Sequence, residues 1–453
     1  MPLRRKGGLP AAPANMTLDA VKPPSPAHAT VSLFGNFGNH NLGNEYTLQA
    51  TIHNIHKYLP QAKVTCICTR PREVTASHEV PAFPISDRLI KASASEKRRG
   101  GNGVVAQLFR WLLVRLPREL VRWIQAFRTL KGTRMLVMTG TGMLGDFGIG
   151  PFDLHYEILK WSLLAKARRS KLLFVGVGAG PIANPLSRWI VHGALSLADY
   201  RSYRDDFSKH YLASIGFDTR NDFVCPDLAF SLKPELPAQP GRNGGSRVVG
   251  LGLMDYYGND STDGSGEARY QHYLEKMTTF LAWLLERNYT VRLLIGDATY
   301  DTRIRGDVVR KLQERAFRYD QRQIVDEPIG SVEELIDQLA ATDAVVATRF
   351  HNLVLALMLN KPVVALSYHE KIDSLMAGAG LADYCQSING LQVDSLVQRF
   401  LKLEQNSQIL KSSLEQTVEK YREMLDRQYL RIFRDAVELE QPPHGRNGTG
   451  TDG

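Results

Sequence analysis

Short, unbroken apolar runs alternate with stretches of helical periodicity along most of the chain. TVSLFGNF, KVTCICT, RMLVMTG and KLLFVGVG lie in the first half, and RVVGLGLM, YTVRLLIG, DAVVATR and PVVALSY in the second. A brief apolar run without polar alternation predicts a strand covered on both faces, and helices between such strands predict parallel crossovers. The pattern therefore predicts an α/β chain with two doubly wound, Rossmann-like sheets. The Pro/Gly-rich stretch LKPELPAQPGRNGGS at 232–246 separates them. Expected domains are 29–240 and 245–392, followed by an amphipathic helical segment over 393–438 that can pack back across the first half. The Pro/Ala-rich residues 1–28 and the turn-rich residues 439–453 are expected to be disordered tails.

Composition supports this division: 453 residues with 43% hydrophobic content suffice for two cores. The four cysteines, Cys66, Cys68, Cys225 and Cys385, are scattered, with no histidine cluster at metal-ligand spacing. Reduced structural thiols and no zinc are expected. The basic N-terminus lacks the apolar stretch of a secretory signal, and no uncharged run reaches membrane-spanning length. A cytoplasmic protein is the expectation.

Charge is concentrated rather than spread. Residues 97–134 carry ten basic residues against one acid, Glu119, which is as much positive charge as the whole chain's net +9. Within that segment, LFRWLLVRLPRELVRWIQAF interleaves the basic residues with Trp111, Leu120, Trp123, Ile124 and Phe127 in a helical pattern interrupted by Pro117. Two readings fit equally: an interfacial helix on anionic lipid, or a surface helix packed on its own domain. Nucleic acid fits less well, since no nucleic-acid-binding motif accompanies the patch.

Open parallel sheets bind ligands beyond the carboxyl ends of their strands, so those exits hold the candidate residues. After DAVVA come Arg349 and His351 at the start of an apolar helix; in extended chain they share a side. After PVVALSY come His369, Glu370 and Lys371. Arg204 follows the alternating run YRSY and precedes a helix carrying Asp205 and Ser208. Cations beside a histidine over helix N-termini make an anion site with a proton donor; singly, each also reads as a solvated charge or a cap. The first half adds glycine-rich exits, with Asn36, Asn41, Asn44 and Glu45 in FGNFGNHNLGNEYTL and Gly140 and Gly142 in TGTGMLGDFG. The first of these loops does not follow the dinucleotide-binding glycine pattern, and glycine loops alone are a weak signal.

Six segments together, GNFGNHNLGNE, VGAGP, YRSYRDDFSKHYLASIG, PDLAFSL, TRFHNLVLALMLNKPVVALSYHEKID and AGLADY, resemble the polysaccharide pyruvyltransferase family in order and wording, over residues 31–390. The part from 349 to 371 is the most specific. Asn44 stands where the family usually has aspartate, and TGTG at 139–142 where it has three glycines.

The resemblance implies a GT-B-like pair of domains facing a cleft, and transfer of the pyruvyl unit of phosphoenolpyruvate to a sugar as a ketal in exopolysaccharide or cell-wall synthesis. It implies His351 as the general acid or its orienting residue, and Arg204, Arg349 and Lys371 as ligands for phosphate and carboxylate. Asn36, Asn41, Asn44, Glu45, Gly140 and Gly142 are acceptor or loop candidates. No step requires a metal or redox cofactor; phosphoenolpyruvate is the donor substrate. The expected acceptor is a lipid-linked saccharide, with peripheral contact to the inner membrane face and no nucleic acid. The alternatives are a GT-B glycosyltransferase using a nucleotide sugar and a non-catalytic scaffold.

Overall fold

The computed structural model describes residues 29–86, 116–146, 149–234, 246–258 and 265–438. The expected tails, most of the linker and residues 97–115 of the basic segment lie outside the described residues.

Seven strands form the first sheet: β1 (Thr30–Gly35), β2 (Lys63–Cys68), β3 (Ala82–Pro84), β4 (Thr133–Thr139), β5 (Lys171–Val177), β6 (Tyr200–Tyr203) and β7 (Phe223–Val224). Their order is β3-β2-β1-β4-β5-β6-β7, parallel throughout. The second sheet contains β8 (Val248–Gly252), β9 (Thr290–Leu294), β10 (Ile324–Val325), β11 (Ala344–Ala347), β12 (Val363–Ser367) and β13 (Cys385–Ser387), ordered β10-β9-β8-β11-β12-β13 and again parallel. Each sheet therefore reverses direction between its first and fourth strands, at β1/β4 and at β8/β11. Such a reversal splays the following crossovers to opposite faces and opens a crevice at the carboxyl edge.

The eight apolar runs all form strands. β3, β7, β10 and β13 span only two or three residues and carry too little apolar sequence to be recognised. Their pairing comes from the neighbouring strand rather than from their own composition. In the basic segment, Pro117 is the second described residue of the helix Leu116–Thr129, and the stretch before it, over which the pattern predicts an interruption, lies outside the described residues.

Residues 393–438 form two helices, Val393–Gln405 and Ser407–Glu438. The first packs Phe400 edge-on to Phe280 of the second half. The second crosses to the first half, where Tyr429 stacks on Tyr58 and Asp426 accepts hydrogen bonds from Lys57 Nζ (2.8 Å) and Tyr58 Oη (2.7 Å). One apolar cluster runs from Leu33 and Tyr46 of the first half through Leu251, Val346 and Leu355 of the second to Leu425 and Tyr429. A separate cluster, including Phe34, Trp161 and Phe174, fills the other face of the first sheet.

Candidate active site

The carboxyl ends of both sheets meet at close range, and glycines make that possible. A Cβ on Gly43, in the first turn of the helix Leu42–Tyr58, would fall 1.8 Å from His351 Nδ1. One on Gly178, beyond β5, would fall 2.6 Å from Arg204 Nε, and one on Gly142 would lie 3.4 Å from Arg204 Nη2. Gly180 lies against His369 in the same way. Gly43 and Gly180 thus present bare backbone of the first half to His351 and His369 of the second, while Gly178 and Gly142 make room for Arg204 within the first half, and no other residue type fits at Gly43. Gly140 is different: it packs against Gly176 and Leu228 beneath the site.

Phe350 is the surface on which cations from the two halves meet. Arg204, at the exit of β6, stands 4.8 Å from its ring centroid, and Lys371, beyond β12, stands 5.8 Å from it. Lys371 also lies over Tyr368 at 5.0 Å. The helix Glu370–Gly378 that carries Lys371 is capped by His369, whose Nδ1 accepts from the Lys371 backbone N–H at 3.1 Å. Arg204, Phe350 and Lys371 border a cleft of about 400 Å³ that is also lined by Asp205, Asp227 and Tyr421.

His351 is half-buried, with its Nε2 enclosed and without a hydrogen-bond partner among the described residues. Burial, then the positive charges of Arg204, Lys371 and Arg349, push its pKa down to about 3. The ring is therefore neutral at ordinary pH. His369 is pushed down to about 4 by burial and Lys371. Burial would raise the Tyr368 phenol, but Lys371, Arg349 and Arg204 outweigh it and lower the pKa. Burial is the larger cause for the two histidines, and in all three groups nearby cations add a positive field that an anionic ligand would offset.

Arg349 departs from the expected geometry. The chain turns into the helix Phe350–Met358 directly after it, so Arg349 and His351 are not related as neighbours in an extended strand. Its Nε donates to Asp301 Oδ2 at 2.8 Å and its Nη2 pairs with Asp301 Oδ1. Asp301 is fully buried and also accepts from the Asp297 and Asp255 backbone N–H groups. This bidentate pair fixes the guanidinium plane and leaves Nη1 outside it. Asp301 is 48 positions from Arg349, and nothing in its local sequence signals the pairing.

Arg204 is held more loosely. Asp205 Oδ2 lies 3.6 Å from its Nε and Asp227 Oδ2 3.8 Å from its Nη1, beyond hydrogen-bond range. Both carboxylate oxygens and the Nε lack hydrogen-bond partners among the described residues. Asp227 Oδ1 caps the short helix after it through the Ala229 N–H at 3.0 Å, and burial raises its pKa against the pull of Arg204. Asp227 was visible only as part of PDLAFSL, with no role attached.

The asparagines of the first glycine-rich exit build the loop. Asn41 caps its helix and donates from Nδ2 to Asp297 Oδ2 at 3.3 Å in the second half. Asn44 Nδ2 donates to the Asn36 carbonyl at 3.1 Å, and Asn36 Oδ1 accepts from Thr69 Oγ1 at 2.6 Å. Glu45 accepts from the Gly38 N–H at 2.8 Å and faces His78, bordering a separate hollow of about 140 Å³. The structure thus brings Arg204, Arg349, His351, Lys371 and Gly142 together, with Asn36, Asn41 and Asn44 as loop supports and Glu45 turned to the smaller hollow.

Two parallel Rossmann-type sheets meeting across a carboxyl-edge cleft define a GT-B-type architecture. Solved structures with this architecture align over nearly the whole chain. The MnaA–UDP structure of S. aureus gives a TM-score of 0.56 at 11% identity, covering 91% of this chain and 99% of that one. UDP-GlcNAc 2-epimerase from Neisseria meningitidis bound to UDP-GlcNAc gives 0.52 at 10%, covering 88% and 100%. The lipopolysaccharide outer core galactosyltransferase WaaB gives 0.52 at 11%, covering 91% and 100%. Such low identities establish the fold alone. No curated protein sequence matches the chain. The family model for polysaccharide pyruvyl transferase, in contrast, matches residues 41–370, and the chain belongs to that family.

Proposed function

We propose that this transferase moves the pyruvyl unit of phosphoenolpyruvate onto two hydroxyls of a sugar, forming a ketal and releasing phosphate. One observation carries the reading: Arg204, Arg349 and Lys371 converge from both halves on a neutral, half-buried His351. Phosphoenolpyruvate presents a phosphate and a carboxylate, which three such cations suit. Once bound, its negative charge offsets the cations' share of the depression of the His351 pKa and favours uptake of a proton by the imidazole.

His351 then gives that proton to the methylene carbon, and an oxocarbenium-like centre develops at the adjacent carbon. The first sugar hydroxyl adds there and loses its proton to a carboxylate, for which Asp227, raised in pKa and bordering the cleft, is suited. The bond to the phosphate oxygen breaks while Arg204 and Lys371 stabilise the departing charge. The second hydroxyl closes the ketal and its proton leaves with the phosphate. Overall, one hydroxyl proton is replaced on the methyl carbon and the other on phosphate, with no change of oxidation state. None of these steps calls on a metal or redox group.

A nucleotide-sugar transferase is the competing reading, because the GT-B neighbours include structures with UDP or UDP-GlcNAc bound. Thermal stability with phosphoenolpyruvate, phosphate, pyruvate and UDP-sugars separates them. A ligand at 100 times its Kd stabilises the folded state by about 2.7 kcal/mol. A shift with phosphoenolpyruvate that disappears in Arg204→Ala supports the pyruvyl reading; a shift with a UDP-sugar alone overturns it.

A further inference from the structure

Large apolar side chains left in solvent are concentrated on one side of the molecule. Leu116, Leu120, Val121, Ile124 and Phe127 stand exposed on the helix Leu116–Thr129, whose only fully buried residue is Ala126. Leu163 is exposed on the helix Tyr156–Ala167, and Leu186 and Trp189 on the helix Pro185–Ser196; Phe152 precedes the middle helix. Leu120 is 62%, Phe152 65% and Trp189 70% exposed.

These helices are neighbours in one layer. Trp123 donates to Tyr156 Oη at 2.9 Å, and Arg168 donates to the Phe127 carbonyl, which joins the first helix to the second. Leu159 packs toward Gly193, joining the second to the third. Arg118, Arg128, Lys131, Arg134, Arg169 and Arg188 are exposed on and around this layer, against only Asp153 and Asp199 among the exposed acids of the described residues 116–199. The third helix starts five residues beyond Gly180, which lies against His369, the cap of the helix that carries Lys371. The apolar, basic face therefore reaches the rim of the candidate active site.

We propose that this three-helix face docks the enzyme on an anionic lipid bilayer. Apolar side chains ringed by arginine and lysine match the interfacial zone, where they enter the acyl boundary while the cations meet lipid phosphates. A face abutting the cleft would present the site to a saccharide carried on a lipid. That last point rests on the pyruvyltransferase reading, whereas the docking itself does not. No helix among the described residues is long and apolar enough to cross a membrane, so the contact is peripheral.

The test is co-sedimentation of the full chain with vesicles of phosphatidylcholine alone and of phosphatidylcholine with phosphatidylglycerol. Expected are binding to the anionic vesicles that weakens with salt, and about a tenfold or larger loss in Leu120→Asp/Ile124→Asp and in Trp189→Asp. Both variants should keep the wild-type melting temperature and its shift with phosphoenolpyruvate. No binding by the wild type, or binding that both variants retain, overturns the proposal. So does a concentration-dependent dimer, seen by light scattering, that the same substitutions abolish, since a second copy would then cover the face. A fall in melting temperature in both variants without vesicle binding by the wild type also overturns it, by showing that the chain covers the face itself. The phosphoenolpyruvate shift is read separately, so failure of docking and failure of the catalytic reading are distinct results.

Discussion

His351 would have to be charged for the proposed proton-donor role, yet its surroundings keep it neutral. The depressed pKa has a consequence for stability with a definite sign. An unfolded histidine takes a proton near pH 6.5, whereas the ring in the folded chain resists it down to about 3. Between those values the unfolded chain binds more protons, so the stabilisation is complete above about pH 6.5 and is lost as pH falls toward 3. His369, pushed down to about 4, acts in the same direction. The melting temperature of the wild type should fall on acidification below about pH 6.5, and His351→Asn should flatten that dependence; an unchanged slope would remove His351 as its source. Asp301 permits a second prediction. It is fully buried, and its loss leaves the Arg349 guanidinium without its bidentate partner. Asp301→Ala should cost about 3 kcal/mol in denaturant unfolding and weaken phosphoenolpyruvate binding, because a free guanidinium loses its fixed plane.

At the scale of elements, paired glycine substitutions separate helix propensity from site geometry. Gly306 lies in the helix Thr302–Glu314 with nothing within 4 Å of the position a Cβ would take. Gly306→Ala should stabilise the chain by about 1 kcal/mol through propensity alone. Gly43 is also helical, but its added Cβ enters the His351 ring. Gly43→Ala should therefore cost about 1–3 kcal/mol through overpacking and reduce turnover more than Gly306→Ala does. Equal effects at the two positions, measured by thermal unfolding and phosphate release, would mean that the close approach at Gly43 is relaxed in solution.

For the whole molecule, the decisive feature is that the two sheets share one apolar cluster, even though the first sheet has a second of its own. The continuous apolar cluster and the helix Ser407–Glu438 bind the halves into one cooperative unit. Calorimetry should show one unfolding transition rather than two. Tyr429, nearly fully buried between Tyr58 and Phe433, is the point at which the crossing helix grips the first half. Tyr429→Ala should lower stability by about 3 kcal/mol through the cavity it leaves, and the transition should shift as a whole. A new, separate transition would show that the halves are coupled only through that helix.

The alternation of apolar runs and helices by itself determined two doubly wound sheets, because strands buried on both faces need unbroken apolar sequence and each strand reports its own environment locally. The short strands β3, β7, β10 and β13 escaped, since two or three residues take their conformation from a neighbour's hydrogen bonds. The cationic cluster was legible for the same reason as the long strands: Arg349 and Lys371 follow strand exits within one short stretch, and Arg204 follows another. Only the tertiary structure decided the rest. It placed Asp301 on Arg349, Asp227 beside Arg204 and Gly43 against His351, pairings between residues far apart in sequence that leave no periodic trace. It also showed which face of the helix Leu116–Thr129 stays in solvent, because periodicity records that a helix has an apolar side without recording what covers it.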